Sequence, residues 1–176
     1  MSESRGAARI RPSTRADVPL LLTLVRELAE YEREPDAVEA TEAMLAEALF
    51  GPRPAAEAVV AEWGGEAAGF ALFFHNFSTW KGRRGLYLED LFVRPAFRGL
   101  GIGRALLAYL ARVAVERGCG RFEWSVLDWN DPAIGFYRAL GAVPMDEWTV
   151  MRVSGGALAR LAAEGGAGGL TAPASS

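Results

Sequence analysis

The residues best suited to chemistry in this chain stand together in Arg98-Gly99-Leu100-Gly101-Ile102-Gly103-Arg104, between a strand-like run and a long apolar-periodic helix. The first amide N–H groups of a helix have no partner inside it, and the helix dipole adds partial positive charge there. Glycines let the backbone curl so that several amides converge, and let a phosphate approach without meeting a Cβ. Arg98 and Arg104 add charge for the same anion. The ligand class implied is a phosphate ester or a pyrophosphate; a glycine-rich helix entry with no ligand is the plainer alternative. Two common phosphate loops are excluded. A Walker-type loop ends in Gly-Lys-Ser/Thr, and the one lysine of the chain is Lys81. A dinucleotide fingerprint would place its third glycine at Arg104 counting from Gly99, or at Leu106 counting from Gly101. What remains is Arg-x-x-Gly-x-Gly. Covalent catalysis lacks its parts: one histidine (His75) and one cysteine (Cys119) offer no Ser-His-Asp or Cys-His set, no internal disulfide and no ordinary zinc site. Cys119 follows a helix-ending Gly118 and reads as an inert thiol, while His75 at a strand end reads as structural.

The elements that must hold this turn follow from periodicity. Ile10 to Pro12 reads as a short strand, and Asp17 is placed to begin a helix. Leu20, Leu21, Leu24, Val25 and Leu28 then recur at three-to-four spacing as far as about Tyr31. Thr41 opens a second helix closed by Gly51 and Pro52. Ala58 to Trp63 and Gly69 to His75 form a hairpin around Gly64-Gly65, and Leu86 to Val93 is a third strand. Ile102 to Arg117 is a strong helix, Phe122 to Leu127 a strand, Pro132 to Leu140 a short helix, and Trp148 to Val153 a last strand, whose exposed edge could serve a dimer. This order predicts an α/β or α+β fold in which one mixed sheet is covered by helices on both faces. Residues 1–8 read as a flexible N-terminus, 9–153 as a single domain, and 154–176 as a C-terminal extension, disordered from about 165.

Composition narrows the function. Hydrophobic residues make up 51% of 176, enough for a core, and the net charge of −3 argues against bulk nucleic-acid or anionic-membrane partners. No apolar run approaches a bilayer span, and the N-terminus lacks a secretory signal. A cytoplasmic protein is expected.

Four further segments accompany the turn: Leu28-Ala29-Glu30-Tyr31-Glu32, Leu86-Tyr87-Leu88-Glu89-Asp90-Leu91-Phe92-Val93, Trp129-Asn130-Asp131-Pro132 and Gly135-Phe136-Tyr137. In this order they resemble the Gcn5-related N-acetyltransferases (GNAT) over about Ile10 to Val153, within them the spermidine/spermine and thialysine acetyltransferase branch. The resemblance implies a mostly antiparallel sheet, acetyl-CoA as co-substrate, no metal, and a homodimer. It implies that Arg98, Gly99, Leu100, Gly101, Ile102, Gly103 and Arg104 grip the coenzyme pyrophosphate. Leu91, Phe92 and Val93 would splay from the neighbouring strand and pair with the pantetheine arm, a use of free edge groups. Asn130 and Ala133 are further cofactor contacts by the same match.

A primary amine near pKa 10.4 is protonated at pH 7, and freeing its lone pair costs about 4–5 kcal/mol. A carboxylate beside the amine binds the cation and accepts its proton, directly or through water. The family match gives Glu89 that part. Strand alternation puts Glu89 and Asp90 on opposite faces, so only one faces a given cleft unless a bulge intervenes. Tyr137 matches the residue that protonates the departing thiolate, Tyr31 and Glu32 match positions that contact the amine, and Asp90 and Trp80 are further candidate substrate contacts. Transfer is then direct, without an acyl-enzyme. Where polyamine enzymes tend to carry an aspartate this chain has Ser78, and Ser78-Thr79-Trp80-Lys81-Gly82-Arg83 resembles thialysine-type enzymes. Lys81 and Arg83 would receive an α-carboxylate. The expected acceptor is a small lysine-like amine or a di- or polyamine. Rival readings are a non-enzymatic acetyl-CoA sensor, which would be expected to lose Tyr137 or Glu89, and a protein or peptide N-acetyltransferase, which needs an open groove.

Overall fold

Arg11 and Asp17 set the start of the chain. Strand β1 (Arg9–Pro12) presents Arg11, whose guanidinium donates to Asp17 Oδ2 at 2.8 Å, Asp17 Oδ1 at 2.9 Å and Glu62 Oε1 at 2.7 Å. Asp17 also accepts the Thr14 N–H at 2.7 Å, closing the turn that launches α1 (Val18–Tyr31). This structure, a computed structural model, describes residues 7–165. Helix α2 (Glu42–Phe50) begins where the Thr41 hydroxyl accepts the Met44 N–H at 3.2 Å.

Strands β2 (Glu57–Trp63) and β3 (Glu66–Ser78) form the expected hairpin; Gly64 and Gly65 both have positive φ, which a two-residue turn of this kind demands. Strand β4 (Arg83–Val93) pairs antiparallel with β3, and α3 (Ile102–Glu116) carries the chain to β5 (Phe122–Trp124), parallel to β4. The sheet order is β1-β2-β3-β4-β5, antiparallel except for the last pair. Leu21, Leu24 and Leu28 of α1 and Leu49 of α2 pack with Ala58, Val60, Phe70 and Phe92 on one face. The alternate residues Val59, Ala71 and Leu88 are buried toward the other face, where α3 contributes Leu106, Leu107 and Leu110. The mixed sheet with helices on both faces is the architecture expected.

The chain divides into two compact units, one ending at Leu127 and the other beginning at Asp128. The second holds α4 (Asp131–Ala139) and α5 (Gly155–Glu164). Here the sequence reading needs correction. Trp148 to Val153 is not a strand but irregular chain, with Trp148 69% and Met151 86% exposed. A strand exists only with a ladder partner, and no ladder among the described residues includes this segment. The sheet edge offered to a dimer is therefore not built from this segment. Strand β5 is also shorter than expected, ending at Trp124. Helix α5 was not foreseen, although Ser154 and the Ala/Leu/Arg-rich run after it suit a helix. The flexibility expected of residues 1–8 and the disorder expected from about 165 fall mostly on residues 1–6 and 166–176, outside the described residues. No helix among the described residues is long and apolar enough to cross a membrane.

Candidate active site

The glycine turn is positioned from both sides. A 3-10 turn, Pro95–Phe97, leads off β4, and Ile102, 1% exposed, roots the first turn of α3 in the core. Gly99 and Gly101 both have φ of 79°, a conformation that side-chain-bearing residues rarely adopt. Gly101 is the N-cap and offers no side chain to the first N–H groups of α3. A Cβ at Gly99 or Gly101 would meet nothing within 4 Å, so the space above the turn is open to a ligand. Arg98 and Arg104 are both exposed beside it. Uncapped donors, open space and flanking cations fit a diphosphate.

The strand before the turn is equally suggestive. The ladder between β4 and β5 runs only over Leu86–Phe122, Tyr87–Glu123 and Leu88–Trp124 and then stops. Leu91, Phe92 and Val93 keep their β3 partners, so the β5 side of this stretch has no strand beside it among the described residues. An extended arm of a ligand can use such an edge.

At the point where the strands part, β4 contains a bulge. Asp90 lies opposite Leu72 and Leu88 opposite Phe73, leaving Glu89 as the extra residue. The interruption resets the alternation, so that Asp90, like Tyr87 opposite Phe74, belongs to the face on which Leu72 packs against the α1 cluster. There its carboxyl is pushed up to about 6, first by burial and then by the negative charges of Glu89 and Glu32. Glu32, just past the end of α1, is itself raised by desolvation. The adjacent Tyr31 carries the Arg98 guanidinium over its ring, 4.8 Å from the centroid. The structure thus brings Tyr31, Glu32, Glu89 and Asp90 together beside the diverging strands. No group of three or more His, Cys, Asp or Glu among the described residues is arranged to hold a metal ion.

The family profile described as the acetyltransferase (GNAT) family matches residues 21–142. This chain belongs to the GNAT family. It is 40% identical over 164 residues to a thialysine N-epsilon-acetyltransferase of Bos taurus, covering 87% of this chain and 96% of that one. It is 33% identical to an L-ornithine N5-acetyltransferase of Arabidopsis thaliana, with 86% of each covered. Among solved structures, an integron cassette protein from the mobile metagenome of V. cholerae superposes with a TM-score of 0.75 at 30% identity, over 88% of this chain and 97% of that one. GNAT enzymes use acetyl-CoA, and the turn and free strand edge described above suit its diphosphate and its extended arm.

The remaining expected site residues of this GNAT chain are carried by other elements. In the second unit, Asn130 caps α4, its Oδ1 accepting the Ala133 N–H at 3.4 Å; Tyr137 sits on the same helix with its ring 5.5 Å from that of Phe136. Trp80 stands 91% exposed in the turn between β3 and β4, and buried Ser78 accepts the Lys81 N–H at 3.2 Å to close that turn. The stems of Lys81 and Arg83 lie over Gly120, where a Cβ would come within 2.9 Å of Lys81 Cδ. From Arg83 to Glu89 is about 20 Å along β4 at ~3.3 Å per residue, so the structure does not bring Trp80, Lys81 or Arg83 to the carboxylate cluster. The sequence left open whether a bulge intervenes at Glu89-Asp90, and the structure has one there. Its signal was the adjacent pair Glu89-Asp90 in an apolar run, where strict alternation would turn one acid into a packed face.

Proposed function

We propose that this GNAT enzyme transfers the acetyl group of acetyl-CoA directly to the terminal primary amine of a thialysine- or ornithine-like amino acid. The observation that carries the reading is Asp90, held part-buried at the β4 bulge beside Glu89 and Glu32. Three carboxylates attract an ammonium, and Asp90, raised to about 6 by burial and by its acidic neighbours, is the best placed to take a proton near neutral pH. In this reading Glu32 and Glu89 hold the cation, and proton acceptance, which the family match alone gives to Glu89, passes to Asp90, directly or through a water. Acetyl-CoA supplies the activated acyl carbon. The freed amine lone pair forms the C–N bond as the C–S bond breaks; Tyr137, by family match, gives its hydroxyl proton to the sulfur, and the second proton that the nitrogen sheds on becoming an amide passes through solvent to restore that hydroxyl. Arg98 to Arg104 bind the diphosphate, Leu91 to Val93 line the arm, and Asn130 and Ala133 complete the coenzyme contacts. The substrates named for the relatives, thialysine and L-ornithine, are amino acids with a side-chain amine, which supports the choice.

A second reading, a di- or polyamine acceptor, is favoured by the excess of carboxylates over any single ammonium. Coenzyme A release measured over thialysine, ornithine, lysine and spermidine separates the two. Preference for the amino acids is expected; preference for spermidine selects the second reading, and turnover only on peptides overturns both. A cytoplasmic homodimer belongs to the same proposal, and sedimentation of the purified chain at twice its 18.9 kDa mass checks the dimer.

A further inference from the structure

Two arginines flanking the Pro95–Phe97 turn reach α1 on successive helical turns. Arg94 grips Glu27 through Nε and Nη2, both at 2.9 Å, while its Nη1 donates to the Ala67 carbonyl at 3.0 Å. Arg98 lays its guanidinium over the Tyr31 ring, and its Nε donates to the Val93 carbonyl at 3.2 Å. The Phe92 ring lies 6.0 Å from the same guanidinium. Glu27 and Tyr31 are four residues apart and so share one face of α1. The link between β4 and the glycine turn therefore holds the last two turns of α1, and the residue after Tyr31 is Glu32, whose charge reaches Asp90.

A planar guanidinium can stack through its face while donating hydrogen bonds at its edge. A lysine ammonium offers charge without that division of labour. The Arg98 Cζ lies over the Tyr31 ring, and the chain immediately following Arg98 is the turn that fits a diphosphate. We propose that Arg98 is a positioning residue for the amine side of the reaction, coupling occupancy of the glycine turn to the placement of Tyr31 and Glu32. The Arg94–Glu27 clasp keeps α1 in register one turn earlier, so that the coupling acts on its final turn. Coupling of this kind is reciprocal: if coenzyme favours amine binding, amine favours coenzyme binding by the same factor.

This inference rests on the acetyl-transfer reading, and its test is separable from it. Amine KM and kcat at saturating acetyl-CoA are measured for the wild type, Arg98→Lys, Tyr31→Leu and the double variant. Calorimetry gives the affinity for coenzyme A with and without the amine. Each single substitution is expected to raise amine KM about three- to tenfold, the range of a partly desolvated cation–π contact, with kcat little changed. The double variant is expected to be no worse than the poorer single one. Tyr31→Leu, which touches no phosphate, is expected to abolish the gain in coenzyme A affinity that amine confers on the wild type, whereas Tyr31→Phe, which keeps the ring face, retains it. Multiplicative effects on KM in the double variant, or coenzyme A affinity indifferent to amine in the wild type, would overturn the inference. Absence of turnover on every amine removes the underlying reading instead.

Discussion

At the scale of single residues, Asp90 carries the most consequence. A carboxyl raised to about 6 in the folded chain binds a proton that the unfolded chain, near 3.9, has already lost. Its ionisation therefore costs the fold stability that is intact below pH 4 and is lost as pH rises through about 6. Asp90→Asn is expected to be more stable than the wild type by about 2 kcal/mol at pH 7–8, and no more stable at pH 4. Chemical denaturation at both pH values reads the difference. The same substitution should lower turnover on the amine by roughly 10²–10⁴-fold and remove an acidic limb near pH 6 from the kcat/KM profile, because the proton acceptor must be ionised. Tyr137→Phe keeps the ring that packs near Phe136 and loses only the hydroxyl. It should depress kcat by roughly 10²-fold while leaving amine KM and thermal stability close to wild type. Glu89→Gln compared with Asp90→Asn divides cation binding from proton transfer: the first should act mainly on KM, the second on kcat.

At the scale of elements, α1 is held at both ends by charge, and each end can be tested. Near its start, the Arg11 guanidinium, helped by Thr14, holds the Asp17 carboxyl down at about 2 against the opposing effect of its own burial. The sign is opposite to that of Asp90. Asp17 stabilises the fold above pH 4, and that contribution disappears as pH falls through about 2. Asp17→Ala should cost about 3 kcal/mol at pH 7, since it leaves Arg11 part-buried with one partner fewer; the cost should shrink steadily when denaturation is repeated toward pH 2. How much of these elements was legible depended on whether local spacing carried the information. Leu21, Leu24 and Leu28 recur at helical intervals and become the buried stripe of α1. Gly64-Gly65 has the residue types its turn geometry requires. Trp148 to Val153 has the β-branched and aromatic composition of a strand, but composition does not supply a partner, and the segment is irregular. The β4 bulge depends on register with β3, a non-local property, and only the unbroken Glu89-Asp90 pair hinted at it.

At the scale of the molecule, the sheet places its two working features at the same end of β4. The bulge gathers carboxylates where β5 departs, and a few residues later the chain turns through Gly99 and Gly101 into α3. Family membership and the glycine turn were readable from motifs because both are local in sequence. Tyr31 and Glu32 were named only by resemblance; the structure supplies the physical reason, since the end of α1 lies within electrostatic reach of Asp90. The β3–β4 turn is grouped with the amine site by resemblance and by the charge of Lys81 and Arg83; in the structure Arg83 opens β4, about 20 Å along that strand from Glu89. The central claim, that the Arg98–Arg104 turn binds the diphosphate of acetyl-CoA, is tested most directly by calorimetry of acetyl-CoA against the wild type and Gly101→Val, a β-branched residue at a positive φ. The account predicts saturable binding to the wild type and an affinity at least tenfold weaker in the variant; absence of binding to the wild type, or equal affinity in a folded variant, would contradict it.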